Sequence, residues 1–237
     1  MIKVNFDYVS KEKLVDFASY SEKVKEIDSK IRNKTGLGND FLGWYDWPIN
    51  YDKDEIKRIK SKATEFIQNY DTLVVCGIGG SYLGSNAVID AINGLYPTNK
   101  MKIVYLGNTL DPNYVHQVFD YLKNRNFAIC CISKSGTTTE TSISFRLLKT
   151  MLEEKLGKEK ARNAIVCVTD KEKGALKKLA TDEGYETYIL PDNIGGRYSV
   201  ITAVGLFPIA CAGIDIEEFL KGCAKAKADY DNPNILE

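Results

Sequence analysis

Hydroxyl-bearing side chains crowd a short stretch in the middle of the 237-residue chain. Residues 133–141 are Ser-Lys-Ser-Gly-Thr-Thr-Thr-Glu-Thr, and they directly follow the apolar run Phe127–Ile132. Hydroxyl groups and the free backbone amides of a helix N-terminus can together donate several hydrogen bonds to one phosphate. A helix cap needs only one such residue. The loop from Ser133 to Thr138 therefore favours a cradle for a phosphate monoester, with a simple helix cap as the alternative.

Glycines mark a second loop that could approach an anionic ligand closely. Residues 77–85 are Gly-Ile-Gly-Gly-Ser-Tyr-Leu-Gly-Ser, and they follow the apolar run Thr72–Cys76. The stretch lacks the dinucleotide fingerprint because Tyr82 occupies the position of the third glycine, and it lacks the Walker lysine after Gly84. The loop thus disfavours NAD and ATP as ligands. A glycine-rich turn that serves only packing is the alternative.

A third loop, residues 195–199, is Gly-Gly-Arg-Tyr-Ser and places a permanent positive charge beside two glycines. Arg197 could stabilise an oxyanion that develops during a reaction. A surface ion pair with a carboxylate is the alternative for this side chain. A fourth loop, which begins at Thr169-Asp170, predicts only a helix cap.

These loops can act together only if the fold brings them to the same edge of a β-sheet. Short apolar runs alternate with amphipathic segments, which predicts a doubly wound α/β fold with a mainly parallel five-stranded sheet flanked by helices. The predicted strands are Thr72–Cys76, Lys102–Leu106, Phe127–Ile132, Ala164–Val168 and Thr187–Leu190. The predicted helices are Asp54–Asn69, Ser85–Asn93, Pro112–Leu122, Thr138–Leu156, Lys171–Glu183, Ser199–Gly213 and Glu217–Tyr230, after a mainly helical N-terminal segment. In such sheets, ligands bind outside the carboxyl ends of the strands.

Composition narrows the class of partner. Thirty-two basic and 32 acidic residues give zero net charge, which disfavours nucleic acid as a partner. The longest apolar stretch, Ala203 to Ile214, is too short to span a bilayer, so we expect no membrane insertion. Six cysteines without a C-x-x-C pair and a single histidine, His116, make a metal site improbable and favour a cytoplasmic location.

The three loops, taken in order, resemble the glucose-6-phosphate isomerase (phosphoglucose isomerase) family. The matching runs are GIGGSYLGS (77–85), SKSGTTTET (133–141) and GGRYS (195–199), and the likeness extends over nearly the whole chain. The resemblance implies a sugar isomerase (SIS) type of fold and the interconversion of glucose 6-phosphate and fructose 6-phosphate through a cis-enediolate. It implies a sugar phosphate as the small-molecule partner, no metal, no cofactor and a homodimer for the full-length protein.

The resemblance also assigns roles to residues. By motif position, the substrate phosphate would be held by Ser133, Ser135, Thr137 and Thr138. Gly79, Gly80 and Ser81 would line the sugar. Arg197 would stabilise the enediolate, and Glu140 would orient the histidine that opens the sugar ring.

The resemblance further predicts how the chain is divided. Residues 1–50 would form an N-terminal helical segment, and 51–214 the SIS-like sugar-phosphate-binding domain. Residues 215–237 would form a helix and the start of a linker to a C-terminal domain. The family's proton-transferring glutamate and ring-opening histidine have no match in this sequence, so we expect the chain alone to show little or no isomerase activity.

Two other classes of function stay open at this point. A non-catalytic module that senses a sugar phosphate would need the same loop from Ser133 to Thr138, but it would not need Arg197 for turnover. A nucleotide-binding α/β protein is disfavoured because neither phosphate-loop fingerprint is present.

Overall fold

A computed structural model describes residues 5–14, 16–94, 96–98 and 101–231 of the chain. Five parallel strands form one sheet: β1 (Thr72–Cys76), β2 (Lys102–Leu106), β3 (Phe127–Ile132), β4 (Ile165–Thr169) and β5 (Glu186–Ile189). Their spatial order is β2-β1-β3-β4-β5, with every neighbouring pair parallel. The predicted doubly wound α/β fold is confirmed, and each strand lies within one residue of its predicted bounds.

Ten α-helices accompany the sheet in the described residues. They are α1 (Ser21–Asn33), α2 (Gly43–Asn50), α3 (Lys53–Asn69), α4 (Gly80–Asn93), α5 (Pro112–Lys123), α6 (Thr139–Leu156), α7 (Lys158–Asn163), α8 (Ala175–Glu183), α9 (Ala203–Cys211) and α10 (Ile216–Tyr230). Short 3-10 helices cover Lys11–Lys13, Phe17–Tyr20, Asn39–Phe41 and Gly196–Ile201. The N-terminal segment is thus helical, as predicted. Residues 232–237, the end of the helix and linker predicted for 215–237, lie outside the described residues.

The order of the strands sends helices to both faces of the sheet. The chain leaves β1 toward β2 on one side and leaves β3 toward β4 on the other, and right-handed crossovers place α4 and α6 on opposite faces. Helices α3, α4 and α9 pack together on one face, whereas α6, α7 and α8 contact the central strands on the other. Strands β1, β3 and β4 are buried along their whole length, as expected for a sheet covered on both faces.

The core on the α3 side is built around aromatic rings. Phe66 of α3 meets Phe207 of α9 edge-on, with ring centroids 5.6 Å apart, and Phe207 also contacts Tyr188 of β5 at 5.6 Å. All three side chains are fully buried. Such pairs add to the free energy gained by burying their apolar area. The sheet and its loops therefore rest on a well-packed layer.

Three predicted helices begin or divide differently in the structure. Helix α4 begins at Gly80, five residues before the predicted start at Ser85, because Gly79, with φ +60°, turns the chain directly into the helix. The segment from Ser199 to Gly213 is a 3-10 helix followed by α9, because Thr202 is extended and its hydroxyl accepts the Val204 N–H at 3.3 Å. Helix α8 begins at Ala175 and not at Lys171. The Asp170 carboxylate accepts the backbone N–H groups of residues 172 and 173, both at 2.9 Å, and so closes a turn before the helix.

The described helices include none with the length and apolar character required to cross a membrane. The six cysteines are free thiols, and five of them are buried.

Candidate functional site

The candidate site lies where the winding of the sheet changes direction. Strands β1 and β3 are neighbours, and their successive helices go to opposite faces, so a crevice opens beyond their carboxyl ends. The loop after β1 begins at Gly77, and the loop after β3 begins at Ser133. The two loops singled out from the sequence therefore meet at the position where open α/β sheets bind ligands.

The loop from Ser133 to Thr138, called the hydroxyl loop from here on, is folded by its own side chains. Ser133 Oγ accepts the Gly136 N–H at 3.0 Å, and Ser135 Oγ accepts the Thr137 N–H at 3.1 Å. The hydroxyls of Ser135 and Thr137 lie 2.8 Å apart. Thr138 occupies the N-cap position of α6, but its side chain makes no capping bond. The Thr138 hydroxyl therefore does not cap the helix. The N–H groups of residues 139–141 have no acceptor among the described residues and are left for another partner.

Helix α8 supports this loop from one side. The Ala175 N–H donates to the Ser135 carbonyl at 2.8 Å. Gly136 has φ +73°, and a Cβ atom there would lie 2.2 Å from the backbone nitrogen of Leu176. Only glycine fits this position, because both the left-handed conformation and the backbone contact exclude a side chain.

A cation lies within the loop itself. Lys134 Nζ is 2.5 Å from a carboxylate oxygen of Asp192, which belongs to the segment leading to Arg197. The Thr169 hydroxyl donates to the Lys134 carbonyl at 3.3 Å. Hydrogen bonds from the backbone amides of residues 172 and 173 lower the pKa of Asp170, and nearby Lys173 and Lys134 act in the same direction. A cleft of about 440 Å³ is lined by Lys134, Ser135, Thr138, Asp170, Lys173 and Gly174.

Residues 77–85, the glycine loop, pack backbone to backbone against residues 195–199, the arginine loop. A Cβ atom on Gly80 would lie 2.1 Å from the carbonyl oxygen of Gly196, and one on Gly84 would lie 2.8 Å from Cβ of Val200. The start of α4 therefore rests directly on the 3-10 helix that carries Arg197. These glycines do serve packing, and that packing is what brings Gly79, Gly80 and Ser81 beside the Gly195–Ser199 segment.

Arg197 projects from this segment into solvent. Its side chain is exposed and forms no ion pair or hydrogen bond with any residue that the structure describes. The alternative of a surface ion pair is therefore not observed among those residues. An unpaired guanidinium beside a crevice can hold an anion or an oxygen that gains negative charge.

The N-terminal segment fixes the arginine loop from outside. The Trp44 ring stacks on Tyr198 with centroids 5.0 Å apart and planes 18° apart. The Gly43 N–H donates to the Asn193 carbonyl at 2.9 Å, and Leu42 pairs with Ile194 in an antiparallel bridge. Sequence spacing gave no signal for these contacts, which join distant parts of the chain. Lys134 and Asp192 were missed for the same reason.

The remaining candidate residues are placed less centrally. Glu140 lies in the first turn of α6, half-buried, and its carboxylate has no hydrogen-bond partner within the described ranges. His116 is on the exposed side of α5, 3.0 Å from Asp120. Within the described part of the chain, no group of three histidine, cysteine, aspartate or glutamate side chains has the arrangement to hold a metal ion.

Comparison with known proteins points to one family. A family model described as phosphoglucose isomerase matches residues 53–235. The glucose-6-phosphate isomerase of Mycoplasma capricolum is 50% identical over 237 residues, which cover 99% of this chain and 55% of that protein. That of Acetivibrio thermocellus is 46% identical over 250 positions, covering 100% of this chain and 55% of that protein.

Solved structures give the same fold. A hypothetical protein from Thermus thermophilus superposes with a TM-score of 0.78 at 29% identity, over 90% of this chain and 49% of that one. A glucose-6-phosphate isomerase from Chlamydia trachomatis gives a TM-score of 0.71 at 23% identity, over 93% of this chain and 48% of that one. The chain thus spans about half the length of the curated relatives it matches.

Proposed function

Because the chain belongs to the phosphoglucose isomerase family, we propose that it supplies the substrate-binding part of an enzyme that interconverts glucose 6-phosphate and fructose 6-phosphate. The observation that carries the proposal is the meeting of three loops at the switch point of the sheet. The hydroxyl loop follows β3, the glycine loop follows β1, and the backbone contact between Gly80 and Gly196 joins the latter to Arg197.

In this proposal the phosphate of the substrate enters the hydroxyl loop. Ser133, Ser135, Thr137 and Thr138 donate to its oxygens, together with the first amides of α6. The turns that Ser133 and Ser135 make with their own loop pre-organise these donors, which reduces the entropy lost on binding. The positive end of the α6 dipole favours the dianion.

The sugar then extends toward the other two loops. Gly79, Gly80 and Ser81 line it. The absent side chain of Gly79, where a Cβ would meet nothing within 4 Å, lets the carbon chain approach the backbone. Removal of a proton from C2 would leave negative charge on the oxygens of C1 and C2. Arg197 would stabilise that cis-enediolate, because its guanidinium is cationic before the charge develops. Glu140 would orient the group that opens the sugar ring.

We further propose that the 237-residue chain binds substrate but isomerises it slowly or not at all. Proton transfer needs a positioned acid or base, worth about 10²–10⁴-fold in rate. The one histidine, His116, is on α5 and pairs with Asp120, so it is not a candidate for that task. A coupled isomerase assay that finds near-normal turnover by this chain would contradict this part of the proposal.

A thermal-shift titration with fructose 6-phosphate, run beside fructose and NAD, tests the binding step. Occupying a formed site at 100 times its Kd adds about 2.7 kcal/mol of stability. We expect a saturable rise with fructose 6-phosphate and none with fructose or NAD. Substituting Ser135 and Thr138 together by alanine should remove the rise.

Thr150→Ala provides the matched control. Thr150 is also on α6, but its hydroxyl donates to the Arg146 carbonyl of its own helix at 3.1 Å and is distant from the loop. This variant should keep the full rise. An equal response to fructose, or a double alanine variant that responds as the parent does, would contradict the phosphate cradle.

A further inference from the structure

A second cavity lies between α6 and α8, on the face of the sheet opposite to α4. Its volume is about 410 Å³. The residues that line it come from β3, from the hydroxyl loop and from one side of each helix. We propose that this cavity binds a small aromatic carboxylate, at a site separate from the phosphate cradle.

The walls of the cavity are mainly apolar. They include Phe145 of α6, Leu176 and Leu179 of α8, and the buried Cys131 of β3. Phe145 is held in place by an edge-on contact with Tyr185, with ring centroids 6.4 Å apart. Ligand pockets usually have about 300–1,000 Å³ and a lining of this kind, with a few polar groups that fix orientation. The space therefore suits a flat ring system between two helices.

Polar groups also line the cavity. The hydroxyl of Thr141, which lines the cavity, is buried and has no hydrogen-bond partner among the described residues. Arg146 and Lys149 line the cavity too, and they lie on the same side of α6. Lys149 is neutralised by Glu153 at 3.0 Å, whereas the exposed Arg146 side chain has no partner within the described residues. Arg146 is thus the group that selects an anion, and its planar fork favours a carboxylate.

The cavity is distinct from the phosphate cradle, although the two share a wall. Ser135, Thr137 and Thr138 do not line it. Ser133 and Gly136 do, and the hydrogen bond from the Gly136 N–H to the Ser133 hydroxyl oxygen at 3.0 Å forms part of the wall that the two sites share. The Ser142 hydroxyl, on the cavity side, donates to the Gly136 carbonyl at 3.0 Å.

The test is a calorimetric titration of the 237-residue chain with 2-naphthoate, beside its neutral analogue 2-naphthalenemethanol. We expect saturable binding of the carboxylate and about tenfold weaker binding of the alcohol, since a hydrogen bond to a charged group is lost. Arg146→Gln should weaken naphthoate binding by about the same factor. Arg162→Gln is the control, because Arg162 is an exposed arginine of α7 that does not line the cavity.

A second variant fills the cavity without touching the charge. Ala175 is exposed at the start of α8 and lines the cavity, so Ala175→Leu should block binding while the circular dichroism spectrum stays unchanged. The proposal is overturned if 2-naphthoate does not bind saturably, if the two arginine variants behave alike, or if the Ala175→Leu protein binds as the parent does. None of these outcomes depends on the sugar-phosphate site.

Discussion

At the scale of single residues, the ion pair between Lys134 and Asp192 links the hydroxyl loop to the segment that carries Arg197. The Asp192 carboxylate is largely exposed and lies 2.5 Å from the lysine nitrogen. A bound phosphate would compete with it for the same cation. We expect Asp192→Asn to tighten binding of fructose 6-phosphate by about two- to fivefold, because the lysine is released and one negative charge near the cradle is removed.

Isothermal titration at low ionic strength measures this effect, since salt screens exposed charges. Asp182→Asn is the control: Asp182 pairs with Lys178 at the same 2.5 Å separation on α8, but neither residue lines the cleft beside the hydroxyl loop. That substitution should leave the affinity unchanged. Weaker binding by the Asp192→Asn protein would show that the pair organises the loop and does not compete with the ligand.

Glu55 is a buried carboxyl with a structural task. Its Oε1 accepts the Ile189 N–H at 2.9 Å, so it satisfies a donor on β5, which is the edge strand of the sheet. Burial raises the pKa of Glu55 above its ordinary value of 4.5, and this outweighs the Ile189 hydrogen bond, which lowers it. The folded state therefore holds this proton more tightly than the unfolded state does. The contribution of Glu55 to stability is greatest at acid pH and falls as pH rises above 4.5 toward the raised pKa.

Two substitutions of Glu55 separate the charge from the hydrogen bond. Glu55→Gln keeps the acceptor and cannot ionise, so its free energy of unfolding relative to the parent should improve between pH 4.5 and pH 7. Glu55→Ala removes the acceptor of the Ile189 N–H and should cost about 0.5–1.5 kcal/mol at pH 4.5 and less at pH 7. Urea denaturation at the two pH values measures both, and a pH-independent difference between parent and Gln variant would refute the raised pKa.

At the scale of the elements, the sequence was most informative where burial is two-sided. The three central strands, β1, β3 and β4, are short apolar runs buried throughout, and such runs have few alternatives in a chain of β-α alternation. The predicted start of α8 at Lys171 was wrong by four residues because the Asp170 side chain binds the backbone locally. The break at Thr202 was missed because an apolar run from Ser199 to Gly213 does not reveal a change from 3-10 to α-helix.

The candidate site was predictable only loop by loop. The hydroxyl run and the glycines are visible as local motifs, and the parallel sheet brings them to one edge. The contacts that fix their relative positions, such as Gly80 on Gly196 and Trp44 on Tyr198, join distant parts of the chain. No periodicity or spacing encodes such pairs, so the geometry of the site required the three-dimensional structure.

Gly136 tests how strictly α8 determines the shape of the hydroxyl loop. Gly136 and Gly184 have the same φ of +73°, but a Cβ on Gly184 would meet nothing closer than 3.5 Å. Gly184→Ala should therefore lower the free energy of unfolding only by the strain of an alanine in the left-handed conformation, about 1–2 kcal/mol. Gly136→Ala adds a collision with the backbone nitrogen of Leu176, so we expect a clearly larger loss in urea denaturation. Equal losses would mean that α8 yields and does not fix the loop.

At the scale of the whole molecule, the N-terminal helices α1 and α2 contact the C-terminal end of α10. The Tyr45 hydroxyl of α2 donates to Asp231 at 2.8 Å, and Lys227 of α10 lies over the Tyr45 ring at 3.8 Å. Arg32 of α1 pairs with the same Asp231. Because α2 also carries Trp44, which stacks on Tyr198, the N-terminal segment connects α10 to the arginine loop. Order at the site therefore depends on helices outside the sheet as well as on the sheet itself.

The whole chain also combines zero net charge with exposed apolar side chains, a combination that favours self-association. Ile143 and Leu147 are neighbours on the outer side of α6, with exposed fractions of 44% and 46%. Replacing them together, Ile143→Glu with Leu147→Lys, keeps the net charge and places an acid one turn before a base. We expect self-association at pH 7, measured by sedimentation velocity, to weaken by about tenfold or more.

The control for this last variant places the same two charges at positions that are already polar. Thr150→Lys with Thr181→Glu leaves the net charge at zero and the apolar pair on α6 intact. Weaker association of this control protein as well would assign the effect to charge placement. If only the α6 variant dissociates, the apolar pair drives the contact, because charge alone cannot distinguish the two proteins. If association is unchanged in both variants, another surface mediates it. The aromatic N-terminal segment would then be the next region to substitute.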